Sequence, residues 1–373
     1  MICSKIVCIN DVPKEDYKLF FGDTGHIVRS DKVSHPYFQK IYEKAFTDFW
    51  TWKVVDFSHD SVGWERLDEK AKRIFLLNVS YQTAMDSGVY NEYFYLVKFV
   101  SNPELATLYS TIGLQEVIHA DSYSYGLAQM FGANVDEKFN LLYKDDIVKS
   151  RMDNEVKLAD ELQKAELTGD EEQIKLPLVK SIVATLFLEK VKFPNSFYTT
   201  WAINDYFGFA IQGFSQLLKL IAFDELTTHV PTNTNVLKMF LNNKEQGFIH
   251  LKEQIIDFIY KYVKEGIKLE EQWIDYLLKE GEFGFLTKES MKYFIKYQVD
   301  DLLKQLKLDP IYNVKHTDLI TWFKNYYDIN NQNNANQELS NISYRKGVVV
   351  NDLSKFDKFD KFDKFDKFDK FDI

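Results

Sequence analysis

Cysteine is almost absent from this chain: there are two in 373 residues, Cys3 and Cys8, both close to the N-terminus. Two neighbouring thiols cannot build a disulfide framework, which points to a reducing compartment and a cytoplasmic protein. Glycine (15) and proline (7) are scarce, and turn signals are thin between about residues 64 and 306. No uninterrupted apolar run approaches the roughly 18 residues of a membrane span, so none is expected. The opening MICSKIVCINDVPKED has neither a long apolar stretch nor a small-residue cleavage site, so it does not read as a signal peptide. Excess positive charge is missing too. Lys+Arg number 46 and Asp+Glu 56, a net charge of −10, which argues against a nucleic-acid partner.

What is present is an ordinary globular composition, 45% apolar and 27% charged, with 31 Phe and 22 Tyr. A chain this long can bury a large core without staples. Length alone allows two or three domains, or one large helical domain with a tail. Apolar residues recur at helical spacing over 64–100, 103–132, 176–203 and 208–230, the last closed by Pro231. Further helical patterns cover about 245–265, 269–280, 287–306 and 317–327, and strand signals are few. These lengths predict an all-α bundle over residues 1–328. From residue 329 the character changes. INNQNNANQELSN reads as a flexible linker, and from Lys355 to Asp372 the triplet Lys-Phe-Asp repeats six times. A period of three would wind the Phe residues around a helix, so 329–373 reads as a disordered tail. Its Phe residues either dock on a partner or belong to a low-complexity expansion without a function of its own.

The sharpest signal is spread over four helices. Glu116 and His119, in LQEVIHADSY, form Glu-x-x-His on one helical face. Alone, that pattern is most often a solvated face. Three more helices carry acids inside apolar runs: Asp86 in YQTAMDSGVY, Glu189 in VATLFLEKVKF, and Glu225 with His229 in KLIAFDELTTHV. Singly, each would be a surface acid or the partner of a nearby lysine. Together they supply four carboxylates and two imidazoles. Four negative charges balance two divalent cations, so such a set can be buried without net charge. This is the ligand plan of ferritin-like dinuclear carboxylate bundles. Oxygen and imidazole donors without thiolates suit iron, with manganese as the alternative.

Glu225 and His229 are spaced by four residues instead of three. At about 100° per residue both spacings keep a pair on one face, but they differ by roughly 1.5 Å in rise. A local π-turn would absorb the extra residue.

The segments VVDFSHD, EKAKRIFLLNVSYQTAMDS, QEVIHADSY, LEKVKFPNSF and LIAFDE, in that order over about residues 40–240, resemble the small (beta, radical-generating) subunit of aerobic class I ribonucleotide reductase. The resemblance implies a ferritin-like homodimer whose dinuclear metal centre and oxygen produce a tyrosyl radical. It implies two iron (or manganese) ions held by Asp86, Glu116, His119, Glu189, Glu225 and His229, and a radical at Tyr123. Otherwise Tyr123 is one packing tyrosine among many. Phe193 and Phe197 would wall a dry pocket, a role that coincides with plain core packing. Trp50 matches the near-metal tryptophan, with Trp52 as its rival, and Asp224 would join it in a relay ending at His119. Where the family usually has arginine before Asp-Glu, this chain has Phe223. Tyr344 in NISYRKG resembles the tail tyrosine that bridges the subunits, and NDLSKFD the peptide that docks on the large (alpha) subunit. A stand-alone di-iron oxidase or an iron-storage bundle would use a similar cage. The oxidase would need a substrate channel but not Trp50, Asp224 or a docking tail, and the storage bundle would need a shell-forming oligomer and no radical tyrosine.

Overall fold

The structure, a computed structural model, describes residues 18–22, 28–135 and 145–327. Among these residues helices account for the regular structure, and two isolated bridges, Phe20 with Val100 and Phe283 with Leu286, build no sheet. The Asn-rich linker, Tyr344 and the Lys-Phe-Asp repeats lie outside the described residues.

Helix α1 spans Pro36–Thr47, a short α2 Asp60–Trp64, α3 Glu69–Leu96 and α4 Pro103–Phe131. Their ends follow local chemistry. Asp68 caps α3 by accepting from Ala71 N (2.8 Å), and Asn102 caps α4 by accepting from Leu105 N (2.9 Å), with Pro103 in the first turn. Gly132, at φ +54°, lets the chain leave α4. Helices α3 and α4 lie along each other and bury residues on most of their circumference, so they run through the core.

Next come α5 (Asp146–Glu166), α6 (Glu171–Phe187) and α7 (Phe193–Tyr206), then α8 (Gln212–Asp224) and α9 (Val230–Leu241). The α6–α7 and α8–α9 junctions are not breaks. Residues Leu188–Lys192 and Glu225–His229 form π-turns, in which Phe193 N–H donates to Leu188 O and Val230 N–H to Glu225 O. The fourth expected helix therefore does not stop at Pro231 but continues to Leu241. In each case a proline, Pro194 or Pro231, stands two residues past the wide turn. A residue without an N–H is tolerated there as it is in the first turn of a fresh helix.

The chain finishes with α10 (Lys252–Leu277), α11 (Lys288–Gln305) and α12 (Asp318–Tyr327). The two helices expected around Gly266 are one. A Cβ at Gly266 would stand 2.5 Å from the Phe187 ring, so this glycine admits a neighbouring aromatic instead of ending a helix. Helices α1 and α5 had no counterpart in the helical spans read from the sequence. Helix α5, DIVKSRMDNEVKLADELQKAE, buries few of its side chains and its apolar stripe is sparse.

A buried ionic network ties α5 to α7 and α10. Arg151 meets Glu270 through two 2.7 Å bonds, and its guanidinium lies 3.7 Å from the Tyr81 ring and 4.6 Å from that of Trp273. Beside it Lys192 pairs with Glu155 at 2.8 Å. Lys192 closes the π-turn that carries Glu189, so the network anchors that turn from behind.

Candidate metal centre

Asp86 on α3, Glu116 and His119 on α4, Glu189 in the first π-turn, and Glu225 and His229 at the two ends of the second are all fully buried. They meet in two overlapping groups. Donor atoms of Asp86, Glu116 and His119 lie within 4.8 Å of one another, and so do those of Glu116, Glu189, Glu225 and His229. Glu116 is common to both, which sets up two adjacent cation positions bridged by one carboxylate. The π-turn aims His229 inward: its Nδ1 stands 3.0 Å from Glu116, 3.3 Å from Glu225 and 3.8 Å from Glu189. His119 Nδ1 lies 3.6 Å from Glu116 and 3.5 Å from Glu225.

None of the four acids' carboxylate oxygens, and neither Nδ1, takes part in a directed hydrogen bond. Each such buried group costs about 1–3 kcal/mol when left unmatched. Without cations the protons redistribute. Burial disfavours a charged His119, but Asp224, Glu116 and Glu225 outweigh it and raise its pKa well above the usual histidine range. His229 is likewise pushed up to about 10, against its burial, by Glu225 and Glu116. Asp86 goes up as well, through burial and then the charge of Glu116. Glu116 goes down, because His119 and His229 overcome its burial. The cluster lacks positive charge and acquires it as imidazolium. Two divalent cations would neutralise the four carboxylates and occupy the unmatched donor atoms, so the residues fit a dinuclear site.

Outward from His119 runs a connected line of side chains. His119 Nε2 is 3.1 Å from Asp224 Oδ2, and the same oxygen accepts from Trp50 Nε1 at 2.8 Å. The Trp50 and His119 rings lie nearly parallel, 5.8 Å apart. Trp50 is buried and Trp52 is only half-buried. At Phe223 a charge returns by another route, since the Lys44 ammonium of α1 stands 4.2 Å from its ring centroid.

Tyr123, one turn after His119, is fully buried and its hydroxyl has no hydrogen-bond partner. Burial, then the charges of Asp86, Glu225 and Glu116, raise its pKa well above that of a free phenol, so it stays protonated. Phe193 and Phe197 are buried and stacked 6.1 Å apart. Tyr125 turns elsewhere, against Phe57. Sequence reasoning passed over Lys44 and Gln115. Gln115 Oε1 lies 3.2 Å from His229 Nε2, and one amide before a Glu-x-x-His gives little signal in a sequence.

The profile of the ribonucleotide reductase small chain matches residues 29–318, which include every one of these residues. The chain belongs to the ribonucleotide reductase small-chain family. A ribonucleoside-diphosphate reductase subunit beta from Buchnera aphidicola is 26% identical over 364 residues, spanning 91% of this chain and 94% of that protein. The fold of this small chain is similar to the R2 subunit of Clostridium botulinum, with a TM-score of 0.76 and 20% identity over 88% of this chain and 99% of that one. It is also similar to the dimanganese(II) NrdF of Streptococcus sanguinis, with a TM-score of 0.64 and 21% identity over 81% and 99%.

Proposed function

We propose that this ribonucleoside-diphosphate reductase beta subunit holds two metal ions with Asp86, Glu116, His119, Glu189, Glu225 and His229, and carries its radical on Tyr123. One observation carries the reading: two buried, unmatched donor groups share Glu116 in a chain of this family. When bound, the metal pair supplies one-electron oxidising power. The protein's own residues supply the rest. Tyr123 offers a protonated phenol with no competing partner, one helical turn from His119. The packed aromatics Phe193 and Phe197 keep water and reductants away. Asp224 holds His119 in one orientation and accepts from the Trp50 indole, so an electron and a proton can travel inwards to the centre along hydrogen-bonded groups. A self-contained oxidase or a storage bundle has no need of that line.

We assign iron as the metal, on the oxygen and imidazole donors; a relative of the same fold is described as dimanganese(II), so manganese is the competing identity. The helical body is assigned to residues 1–328 and the large-subunit docking tail to 329–373, with Tyr344 as the bridging tyrosine, on the likeness of NISYRKG and NDLSKFD to the family's tail. A homodimer is supported by exposed apolar side chains on α3 and α4, namely Phe94, Leu114 and Val117. A cytoplasmic site of action is supported by cysteine usage. No helix among the described residues is long and apolar enough to cross a membrane.

The test is metal analysis with electron paramagnetic resonance of the aerobically reconstituted full chain. Wild type should hold two metal ions per chain and show an organic radical. Tyr123→Phe should keep the metal and lose the radical and the turnover measured with the large subunit. Retention of the radical in Tyr123→Phe ends the assignment.

A further inference from the structure

A second line of side chains leaves the centre in another direction. Glu189, Phe193, Phe197 and Trp201 follow one another at four-residue steps, from the first π-turn along α7, and all are buried. Their rings follow in sequence: Phe193 and Phe197 lie 6.1 Å apart, Phe197 and Trp201 5.9 Å. From Trp201 the line crosses to α12, where the Tyr326 ring stacks nearly parallel to the indole at 4.6 Å. The Tyr326 phenol donates to Asp205, and the Trp322 indole donates to the other oxygen of the same carboxylate at 3.1 Å. None of these residues belongs to the line through Asp224 and Trp50.

The line ends at an opening. A pocket of about 160 Å³ lies between α8 and α12, walled by Phe209, Gln212, Ser215, Lys219, Trp322 and Tyr326. Ser215 is 1% exposed, and its hydroxyl has no partner, although its carbonyl accepts from Trp201 Nε1 at 3.1 Å. A ligand that brings a hydroxyl of its own would match that buried group. Lys219 is half-buried, with its ammonium 5.0 Å from the Tyr326 ring centroid, and it gives the pocket a positive charge. Phe209 stands at φ +60° with its side chain largely exposed, a left-handed conformation that a bulky residue rarely adopts. Three rings, one cation and a free hydroxyl suit a small planar anion that carries O–H groups.

We propose that this pocket binds a small planar reductant of the enediol class, and that Tyr326 and Trp201 carry one electron from it to the oxidised metal centre. This rests on the dinuclear reading given above. The electron leaves Tyr326 through Trp201 while the phenol proton passes to Asp205. The bound enediol then gives a hydrogen atom to the Tyr326 oxygen and restores the phenol, and Asp205 releases its proton to solvent. In sum the enediol loses one electron and one proton, the centre gains the electron, and solvent gains the proton. Phe193 and Phe197 are not oxidised; their packed rings fill the space between Trp201 and Glu189 in place of water.

The full chain is loaded with Fe2+ in air, made anaerobic and mixed with ascorbate, and the loss of ferric charge-transfer absorption is followed. In wild type the rate should saturate with ascorbate. Tyr326→Phe keeps the stacked ring but has no phenol to oxidise, and should slow the saturating rate by about a hundred-fold at unchanged metal content. Trp201→Phe should slow it as well; Tyr326→Phe, on the outer helix, carries the test if that core variant does not fold. Lys219→Met should raise the half-saturating ascorbate concentration by about two- to five-fold. The same shift should appear when ascorbate binding to the metal-free full chain is measured by calorimetry. Rings that only pack would leave the rate unmoved in Tyr326→Phe. That result, or ascorbate binding indifferent to Lys219, overturns the proposal. Iron that is taken up and then reduced without need of Tyr326 leaves the metal centre standing and sinks this inference alone. Wild type that takes up no iron would remove the metal centre and this inference together.

Discussion

At the scale of single residues, the centre is governed by competition between protons and cations for the same atoms. His229 Nδ1 is the clearest case, because Glu225 and Glu116 push its pKa up to about 10 against its burial. Metal binding needs the neutral ring, so at pH 7 loading must expel that proton, and His119 should expel a second. Calorimetric titration of the metal-free protein in buffers of different ionisation enthalpy should therefore show proton release at pH 7 from both imidazoles, together with any proton that the raised pKa of Asp86 retains there. Release should fade as pH rises towards about 10. Absence of release at pH 7 would mean that these imidazoles do not take the metal. Stability follows the same sign. A folded-state pKa above the ordinary 6.5 stabilises the metal-free fold fully below 6.5, and that contribution is lost as pH climbs to about 10. The melting temperature of the metal-free protein should fall across that window, and His229→Gln should flatten its share of the fall.

At the scale of helices, two devices place the donor atoms. One is the π-turn. It brings Glu189 into the core on one side, and on the other it spreads Glu225 and His229 over an extra residue with both still facing Glu116. The other is the ionic network behind the first π-turn, where Arg151 of α5 grips Glu270 of α10 beside Lys192 and Glu155. A buried pair of this kind contributes little in net terms but is costly to break on one side. Arg151→Met should lower the unfolding free energy by about 3–5 kcal/mol in denaturant titration, because the buried Glu270 loses its cation and keeps only the Asn195 amide. Arg151→Met with Glu270→Leu should recover much of the loss. If the single and double variants are equally unstable, the pairing is not what holds α5 to α10.

At the scale of the whole molecule, the proposed function divides the work between a buried centre and a surface that passes the oxidising equivalent on. Within the body the line from His119 reaches Trp50 through Asp224. The next group, Tyr344, is assigned from sequence alone and lies outside the described residues. Tyr344→Phe should leave metal content and the Tyr123 radical as in wild type while abolishing turnover with the large subunit. Unchanged turnover would remove Tyr344 from the route. The paired outcome separates transfer from radical formation, which no variant inside the cage can do.

The chain by itself determined the helical class, the order of the long helices and the acids buried in them, because apolar period and a charge inside an apolar run are local properties that one segment carries alone. Three features depended on neighbours. The break expected at Gly266 does not occur, since that glycine makes room for Phe187. The stop expected at Pro231 does not occur, since a π-turn precedes it. Helix α5, with its sparse apolar stripe, is held by Arg151 reaching Glu270 on a helix more than a hundred residues away. Asp224 was expected behind His119 on the family resemblance, but the Gln115 partner of His229 was likewise decided only when separate helices met. Hydrogen bonds, ion pairs and close ring contacts are relations between distant segments, and periodicity along one strand of sequence carries no record of them.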